Sequence, residues 1–306
     1  MKSEGTVTVG VCVKNSEATI KEAIESIGNQ DFPHQQMELI IVDGCSEDKT
    51  LSIIKEALPK TDLRYKILHE NIGLGYARQM VVDNAIGDYI IWVDGDMILL
   101  PDFVSKQVEF MKRNPKAGIG KGKYQYRKEV SLVAELENIE FMINFKHEGV
   151  TDSKVLATSG CIYRVEAIRQ VGGFDKGIKG VGEDMDIEHR IRAAGWQLCI
   201  TSATFYEMRR KTWKSLWKEY FWHGYGGYYL FKKNKRLIDY YKLFPPIGLI
   251  LELSKVSMAY RLLKRKVTLL LPAHYIFKRI AWFLGFVKSH ANECFKKSSV
   301  LKKLEK

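Results

Sequence analysis

Apolar runs of strand length recur in the first third of the chain, at Val7–Val13, Leu39–Val42, Tyr65–Leu68 and Tyr89–Val93. They are apolar at consecutive rather than alternate positions, as strands buried on both faces of a parallel sheet must be. Between them, Glu17–Ile27 and Thr50–Leu58 carry apolar residues at helical spacing. This β-α-β-α rhythm predicts an α/β layer structure. Later the pattern changes. Trp213, Trp217, Tyr220 and Phe221, with Trp222, Tyr225, Tyr228 and Tyr229 beyond, have mostly helical spacing. They predict a helix whose aromatic face packs on the protein, sits at lipid headgroup level, or stacks on sugar. Leu243–Leu263 and Val267–Val287 are long apolar stretches, but the first holds Glu252, Lys255 and Arg261. The second has Lys278 and Arg279 near its middle and a break at Pro272. Two central cations cost about 5–7 kcal/mol on insertion scales. Both stretches therefore read as amphipathic helices lying on a membrane surface, with core packing or an oligomer interface as the alternative.

Composition narrows the class. In 306 residues, 46% are hydrophobic and 27% charged, which excludes a disordered, collagenous or disulfide-stapled chain. Cys12, Cys45, Cys161, Cys199 and Cys294 form no C-x-x-C pair. Neither a zinc site nor a disulfide framework is expected, and a reducing setting fits. Met1–Gly5 runs directly into the first strand with no charged and then apolar leader, so no signal peptide is expected. The net charge of +12 divides unevenly: residues 1–205 carry 25 basic against 30 acidic groups, and residues 206–306 carry 23 against 6. An acidic body joined to a basic, aromatic tail points to a polyanionic partner, either anionic lipid or nucleic acid. The organisation expected is a catalytic domain over residues 1–210 and an amphipathic helical region over 211–306.

Two acidic clusters carry candidate chemistry. Tyr89-Ile-Ile-Trp-Val-Asp94-Gly95-Asp96 is an apolar strand ending in two carboxylates. Ligands of α/β sheets bind beyond the carboxyl ends of strands, and carboxylates there can hold Mg²⁺ or Mn²⁺ with positions free for diphosphate oxygens. An Asp/Gly-rich turn is the plain alternative. Glu183-Asp184-Met-Asp186 follows the glycine-studded segment 172–182 and opens a helix with Ile187 and Ile191 on one face and Gly195 as its stop. Such acids can simply complement the helix dipole. Beside a loop able to close, one of them can also serve as a general base.

These motifs belong to an ordered set that resembles family 2 glycosyltransferases over roughly residues 5–230. Ser26-Ile-Gly-Asn-Gln30-Asp-Phe-Pro33 is similar to the family's S-x-x-x-Q-x-x-P, and Leu39-Ile-Ile-Val-Asp43-Gly-Cys-Ser46-Glu-Asp48-Lys-Thr50 to its V-D-D-G-S-x-D-x-T. Asn71-Ile-Gly73-Leu-Gly75-Tyr-Ala-Arg78, Asp94-Gly-Asp96, Gly172-Gly-Phe174 and Glu183-Asp184 with Arg190 follow in the family's order. The resemblance implies a GT-A fold, a mixed, mainly parallel sheet flanked by helices, here with a C-terminal helical basic and aromatic extension. It implies an inverting transfer from a UDP- or GDP-linked sugar, assisted by Mn²⁺ or Mg²⁺. By position, Asp43 would contact the nucleobase, Asp94 the ribose or the metal, and Asp96 the metal. Asn15, Arg78, Gly95, Ser159 and Gly160 would complete the nucleotide-sugar site. Asp184 would be the base, with Glu183 beside it.

Two positions depart from the family pattern. The second Asp of V-D-D is Gly44, which leaves the nucleobase open. The family's His after the last strand is absent, and Glu207 is the candidate metal ligand in its place, a surface Glu being the alternative. A Rossmann dehydrogenase is disfavoured because Gly73-Leu-Gly75-Tyr-Ala-Arg78 lacks the third glycine and the following acid. A nucleic-acid-binding protein fits the basic tail but not its aliphatic runs, such as Leu269-Leu-Leu271. The expectation is a peripheral enzyme on the cytoplasmic face of a membrane. Its acceptor would be a hydroxyl of a lipid-linked glycan, or else a polyprenyl phosphate.

Overall fold

The computed structural model describes residues 5–153, 155–178, 180–237 and 245–304. The chain divides into two compact units, Met1–Arg127 with Asn144–Arg209, and Lys128–Ile143 with Arg210–Lys306.

The first unit is built on a nine-stranded sheet. β1 (Val7–Val13), β2 (Met37–Asp43), β3 (Arg64–His69) and β4 (Tyr89–Trp92) form its parallel half, in the order β3-β2-β1-β4. β1, β2 and β4 are almost wholly buried, as their continuous apolar runs require. The other half is mixed. β8 (Cys161–Arg164) runs antiparallel between β4 and β6 (Ala117–Tyr124), β9 (Gln197–Glu207) lies parallel to β6, and β5 (Met97–Leu99) and the short β7 (Gly149–Val150) pair antiparallel with β9. In the parallel half α1 (Ile20–Gly28), α2 (Thr50–Ala57) and α3 (Leu74–Asn84) connect successive strands. Further on come α4 (Phe103–Arg113), α6 (Val165–Gln170) and α7 (Glu183–Ala193). Register decides where the site falls: Val13 pairs with Asp43 and Gly10 with Trp92, so the ends of β1, β2 and β4 open on one edge.

The second unit is helical and takes α5 (Leu132–Asn144) up to Ile143 from inside the first 210 residues. Its other helices are α8 (Trp213–Lys233), α9 (Pro245–Leu263) and α10 (Leu271–Leu304). A Thr212–Ser215 capping box starts α8. α8 and α10 run side by side in one direction, with Trp213 against Phe277 and Tyr228 against Phe286. Glycines permit the close approach: a Cβ on Gly224 would stand 1.7 Å from the Trp282 carbonyl oxygen, and one on Gly285 2.0 Å from that of Phe221. Pro272, expected to break the second apolar stretch, instead sits in the first turn of α10, where its missing N–H costs nothing. Lys278 is not at a surface. Its ammonium is fully buried, 2.7 Å from Glu137 and 2.6 Å from Glu140.

Candidate active site

The carboxyl edge of the parallel strands gathers the acidic motifs. Asp43 ends β2 and is buried; its Oδ2 accepts the Ser46 N–H at 3.2 Å and lies 3.6 Å from His69 Nδ1. Its Oδ1 is buried and has no partner among the described residues. A buried carboxylate oxygen without a donor is costly unless a ligand supplies one. Asn15 adopts a left-handed φ of 52° just beyond β1, donates its N–H to Ser46 Oγ at 2.9 Å and accepts the Glu47 N–H at 2.9 Å, so it ties the β1 and β2 loops together.

Asp94-Gly95-Asp96 forms the turn between β4 and β5. Gly95 is required by space: a Cβ there would meet Val13 Cγ1 at 2.9 Å and Ser16 at 3.3 Å. The Asp94 side chain is partly exposed, and the Asp96 carbonyl accepts the Met208 N–H at 2.8 Å, which ties the turn to the end of β9. Glu207 lies opposite Met97 in the β5–β9 ladder, and its carboxylate is held by Arg209. Ser159 and Gly160 make the turn into β8. The Ser159 carbonyl accepts from the buried Lys121 ammonium, and its hydroxyl lies 3.2 Å from Tyr124 Oη, so the Ser159 side chain faces the interior. Gly160 donates its N–H to the Trp92 carbonyl at 2.9 Å, with a φ of 66° and a Cβ position only 2.3 Å from Phe205. Any other residue there would collide.

Arg78 joins the two acidic motifs. From the first turns of α3 its buried guanidinium pairs with Glu183 and lies 3.9 Å from Asp94 Oδ1. Arg78 thus forms a salt bridge to Glu183 beside Asp94. The second carboxylate oxygen of Glu183 is buried without a hydrogen-bond partner among the described residues. Next to it, Asp184 is half-buried and accepts the Met185 N–H at 2.7 Å in the first turn of α7, where the helix dipole favours an anion. α7 is anchored by Arg190, which holds Asp186 at 2.8 Å and the Val171 carbonyl at 2.6 Å. The starts of α3 and α7 converge: a Cβ on Gly75 would stand 2.8 Å from the carbonyl oxygens of Asp175 and Ile178 and 3.4 Å from Glu183. One turn along α7, burial together with the charge of Asp184 pushes the Glu188 carboxyl up to about 8. Near neutral pH Glu188 is therefore mostly protonated and adds little negative charge beneath Asp184.

One acidic residue escaped the motifs. Glu70 Oε1 stands 3.4 Å from where a Cβ on Gly44 would be, and Glu70 Oε2 accepts the N–H groups of Ile72 at 2.6 Å and Gly73 at 2.7 Å, before α3. A carboxylate thus occupies the neighbourhood that the family's second Asp would reach. The only sequence signal was its place directly after β3.

Residues 8–172 match the family model described as glycosyl transferase family 2. The chain belongs to that family. Among curated relatives of this glycosyltransferase, the poly-β-1,6-N-acetyl-D-glucosamine synthase of Staphylococcus epidermidis is 26% identical over 272 residues, 81% of this chain and 62% of that protein. The poly(ribitol-phosphate) β-N-acetylglucosaminyltransferase TarS of Staphylococcus aureus is 35% identical over 94 residues, 30% of this chain and 16% of TarS. The chain therefore spans under two thirds of the length of either relative. Among solved structures, the mannosyltransferase PcManGT of Pyrobaculum calidifontis, in complex with GDP-Man and Mn²⁺, superposes with a TM-score of 0.66 at 17% identity, covering 94% of this chain and 88% of that one. S. aureus TarS 1–349 with UDP-GlcNAc gives 0.55 at 16% identity, covering 94% and 92%. The fold is the GT-A fold.

The donor set at the β4–β5 turn consists of carboxylate oxygens, which suit Mg²⁺ or Mn²⁺. The Asp94 carboxylate is partly exposed at that turn, and the Glu207 carboxylate is engaged by Arg209. A second group of metal-type ligands, Glu137, Glu140 and His274, lies in the helical unit. There the Lys278 ammonium already contacts both carboxylates and fills the cation position.

Proposed function

We propose that this glycosyltransferase moves a sugar from a nucleotide-diphosphate sugar to a hydroxyl of a lipid-linked glycan, with inversion, while held peripherally at the cytoplasmic face of a membrane. Asp43 Oδ1 accepts a nucleobase N–H, and Asn15 shapes the loop around the nucleoside. Asp94 and Asp96 would hold the divalent cation, which when bound offsets the charge on the departing nucleoside diphosphate. Gly95 and Gly160 let the turns beside the donor cleft pack closely on Val13 and Phe205, and Ser159 fixes the neighbouring turn. Arg78 acts by holding Glu183 and Asp94 in place. Asp184 accepts the proton of the acceptor hydroxyl as its oxygen attacks the anomeric carbon.

The observation that carries this reading is the Arg78 guanidinium, paired with Glu183 and 3.9 Å from Asp94, because it tethers the start of α7, and with it Asp184, to the donor-side carboxylates. The base favours a hydroxyl acceptor: a polyprenyl phosphate arrives already ionised and needs no carboxylate to deprotonate it. The names of the two Staphylococcus relatives support N-acetylglucosamine as the first sugar to test, and the two ligand-bound neighbours leave UDP and GDP both open.

A screen of UDP- and GDP-sugars for Mn²⁺-dependent hydrolysis and binding tests the proposal. One donor should be turned over by the wild type, and Asp96→Ala should lose both metal dependence and turnover. Unchanged turnover in that variant would remove the metal assignment, and failure to bind any nucleotide sugar would remove the donor.

A further inference from the structure

The helical unit carries a feature that neither the sheet nor the acidic site uses. Residues 253–292 contain no Asp or Glu and eight Lys or Arg. Two of those cations are neutralised internally, Arg265 by Glu135 and Lys278 by Glu137 and Glu140. Arg261, Lys264, Lys266 and Lys288 are exposed. Large apolar side chains are exposed among them. Leu262 lies in the last turn of α9, and Leu269 and Leu270 follow in the turn before α10, Leu269 being 62% exposed. On α10, Ile280, Phe283, Leu284 and Val287 are all exposed and follow i, i+3, i+4, i+7 spacing, which puts them on one face of the helix. The opposite face holds Ala281, Trp282 and Gly285, which pack on α8. α8 adds Trp222, Tyr225 and Tyr229 at the same kind of spacing, with Trp222 and Tyr229 exposed and Trp222 stacked on Tyr225 at 6.1 Å.

We infer that this surface docks on an anionic lipid bilayer, with Leu262, Leu269 and Leu270 entering the headgroup–acyl boundary and Arg261, Lys264 and Lys266 on the lipid phosphates. The inference deepens the proposed function and rests on its reading of a membrane-borne acceptor. Charge selects the occupant. A second copy of the chain would bring an equally basic stretch against this one, whereas an anionic bilayer supplies both the counter-charge and the apolar phase. Nucleic acid would meet the cations, but it offers nothing for seven exposed aliphatic and aromatic side chains on the α9–α10 turn and the α10 stripe. Among the described residues no helix is long and apolar enough to cross a membrane, which leaves an interfacial mode. Exposed Trp and Tyr on α8 suit the headgroup level.

The experiment is co-sedimentation of the full chain with phosphatidylcholine vesicles containing phosphatidylglycerol, and with phosphatidylcholine alone, at low and high salt. Wild type should prefer the anionic vesicles by about tenfold or more and lose part of that preference in high salt. Leu269→Glu with Leu270→Glu, and separately Lys264→Glu with Lys266→Glu, should each weaken anionic-vesicle binding by about tenfold or more. All four positions are exposed, so both variants should melt where the wild type does and hydrolyse donor at the wild-type rate. Wild-type vesicle binding by the leucine variant overturns the inference. So does binding of an RNA oligomer in place of vesicles, or a wild-type dimer that the leucine substitutions dissociate. Failure of the two readings is distinguishable: donor turnover without vesicle binding removes the surface alone, and vesicle binding without turnover of any nucleotide sugar removes the catalytic reading alone.

Discussion

Each unit buries a cluster of carboxylates, and the two clusters are finished differently. In the helical unit Glu137 and Glu140 share Lys278 at 2.7 and 2.6 Å, and His274 lies 3.1 Å from one and 3.3 Å from the other. Burial alone would raise the Glu137 carboxyl, but Lys278 and His274 reverse that and hold it at about 2, and Glu140 is lowered as well. His274, in turn, is raised by the carboxylates that its two ring nitrogens face. Two carboxylates face one ammonium and one imidazole, so their ion pairs are made inside the helical unit. Around the acidic site the balance is left open: Arg78 serves Glu183 and Asp94 together, while Asp43 Oδ1 and Glu183 Oε2 stay buried without hydrogen-bond partners among the described residues. A closed cluster holds helices together. An open one has capacity that a substrate can fill.

The sharpest way to separate the two is to neutralise one carboxylate of the open cluster. Asp184→Asn keeps the size of the side chain and its contact with the start of α7 but cannot take a proton. Turnover should fall by about 10²–10⁴-fold while donor binding and thermal stability stay close to wild type. Collapse of donor affinity with normal residual turnover would make Asp184 a binding element and erase the distinction.

The reciprocal change in the closed cluster should act on stability instead. Lys278→Met leaves two buried carboxylates facing each other and should cost about 3–5 kcal/mol in unfolding free energy, with much of it restored when Glu137→Gln and Glu140→Gln are added. Calorimetric or denaturant unfolding measures it. The pH dependence has a fixed sign. The folded carboxyls titrate below their ordinary 4.5, so the stability they contribute is present above pH 4.5 and is lost as pH falls from there toward 2. A Lys278→Met protein as stable as the wild type would show that this cluster is not the brace of the helical unit.

The two clusters also differed in how readily the sequence disclosed them. Strands β1, β2 and β4 were visible as continuous apolar runs, and the acids at the carboxyl edge of the sheet as carboxylates at the ends of predicted elements. The mixed half of the sheet was not. β6 reads Ala117-Gly-Ile-Gly-Lys-Gly-Lys-Tyr124, too rich in glycine and lysine for a strand pattern, and Lys121 is buried only because Ser159 and Tyr124 receive its ammonium. Arg78 could be placed near the site, but its partner Glu183 is 105 residues away and no local rule pairs them. Lys278 looked like an interfacial cation because its carboxylates sit on α5, which a boundary drawn near residue 210 leaves with the other unit. The complementary spacings Glu137-x-x-Glu140 and His274-x-x-x-Lys278, each one face of a helix, were the available clue.

The smallest effect concerns the open cluster's replaced acid, Glu70. Where the family pattern has a second Asp, Gly44 offers no side chain, and Glu70 Oε1 reaches the same neighbourhood while Oε2 holds the N–H groups before α3. Glu70→Gln keeps an oxygen acceptor and removes the charge, so if Glu70 supplies the second nucleobase contact the donor Kd should rise by about tenfold or less, the weight of one hydrogen bond, with kcat unchanged. Gly44→Asp alone should also weaken donor binding, because a Cβ there meets the Glu70 carboxylate at 3.4 Å and a new anion would face an existing one. The two changes together return one carboxylate to the site, now carried by residue 44, and should recover much of the lost affinity. Isothermal titration with the donor identified by the screen reads all three proteins. Additive losses in the double variant would assign Glu70 to capping α3 alone and leave Asp43 as the sole acidic contact to the base.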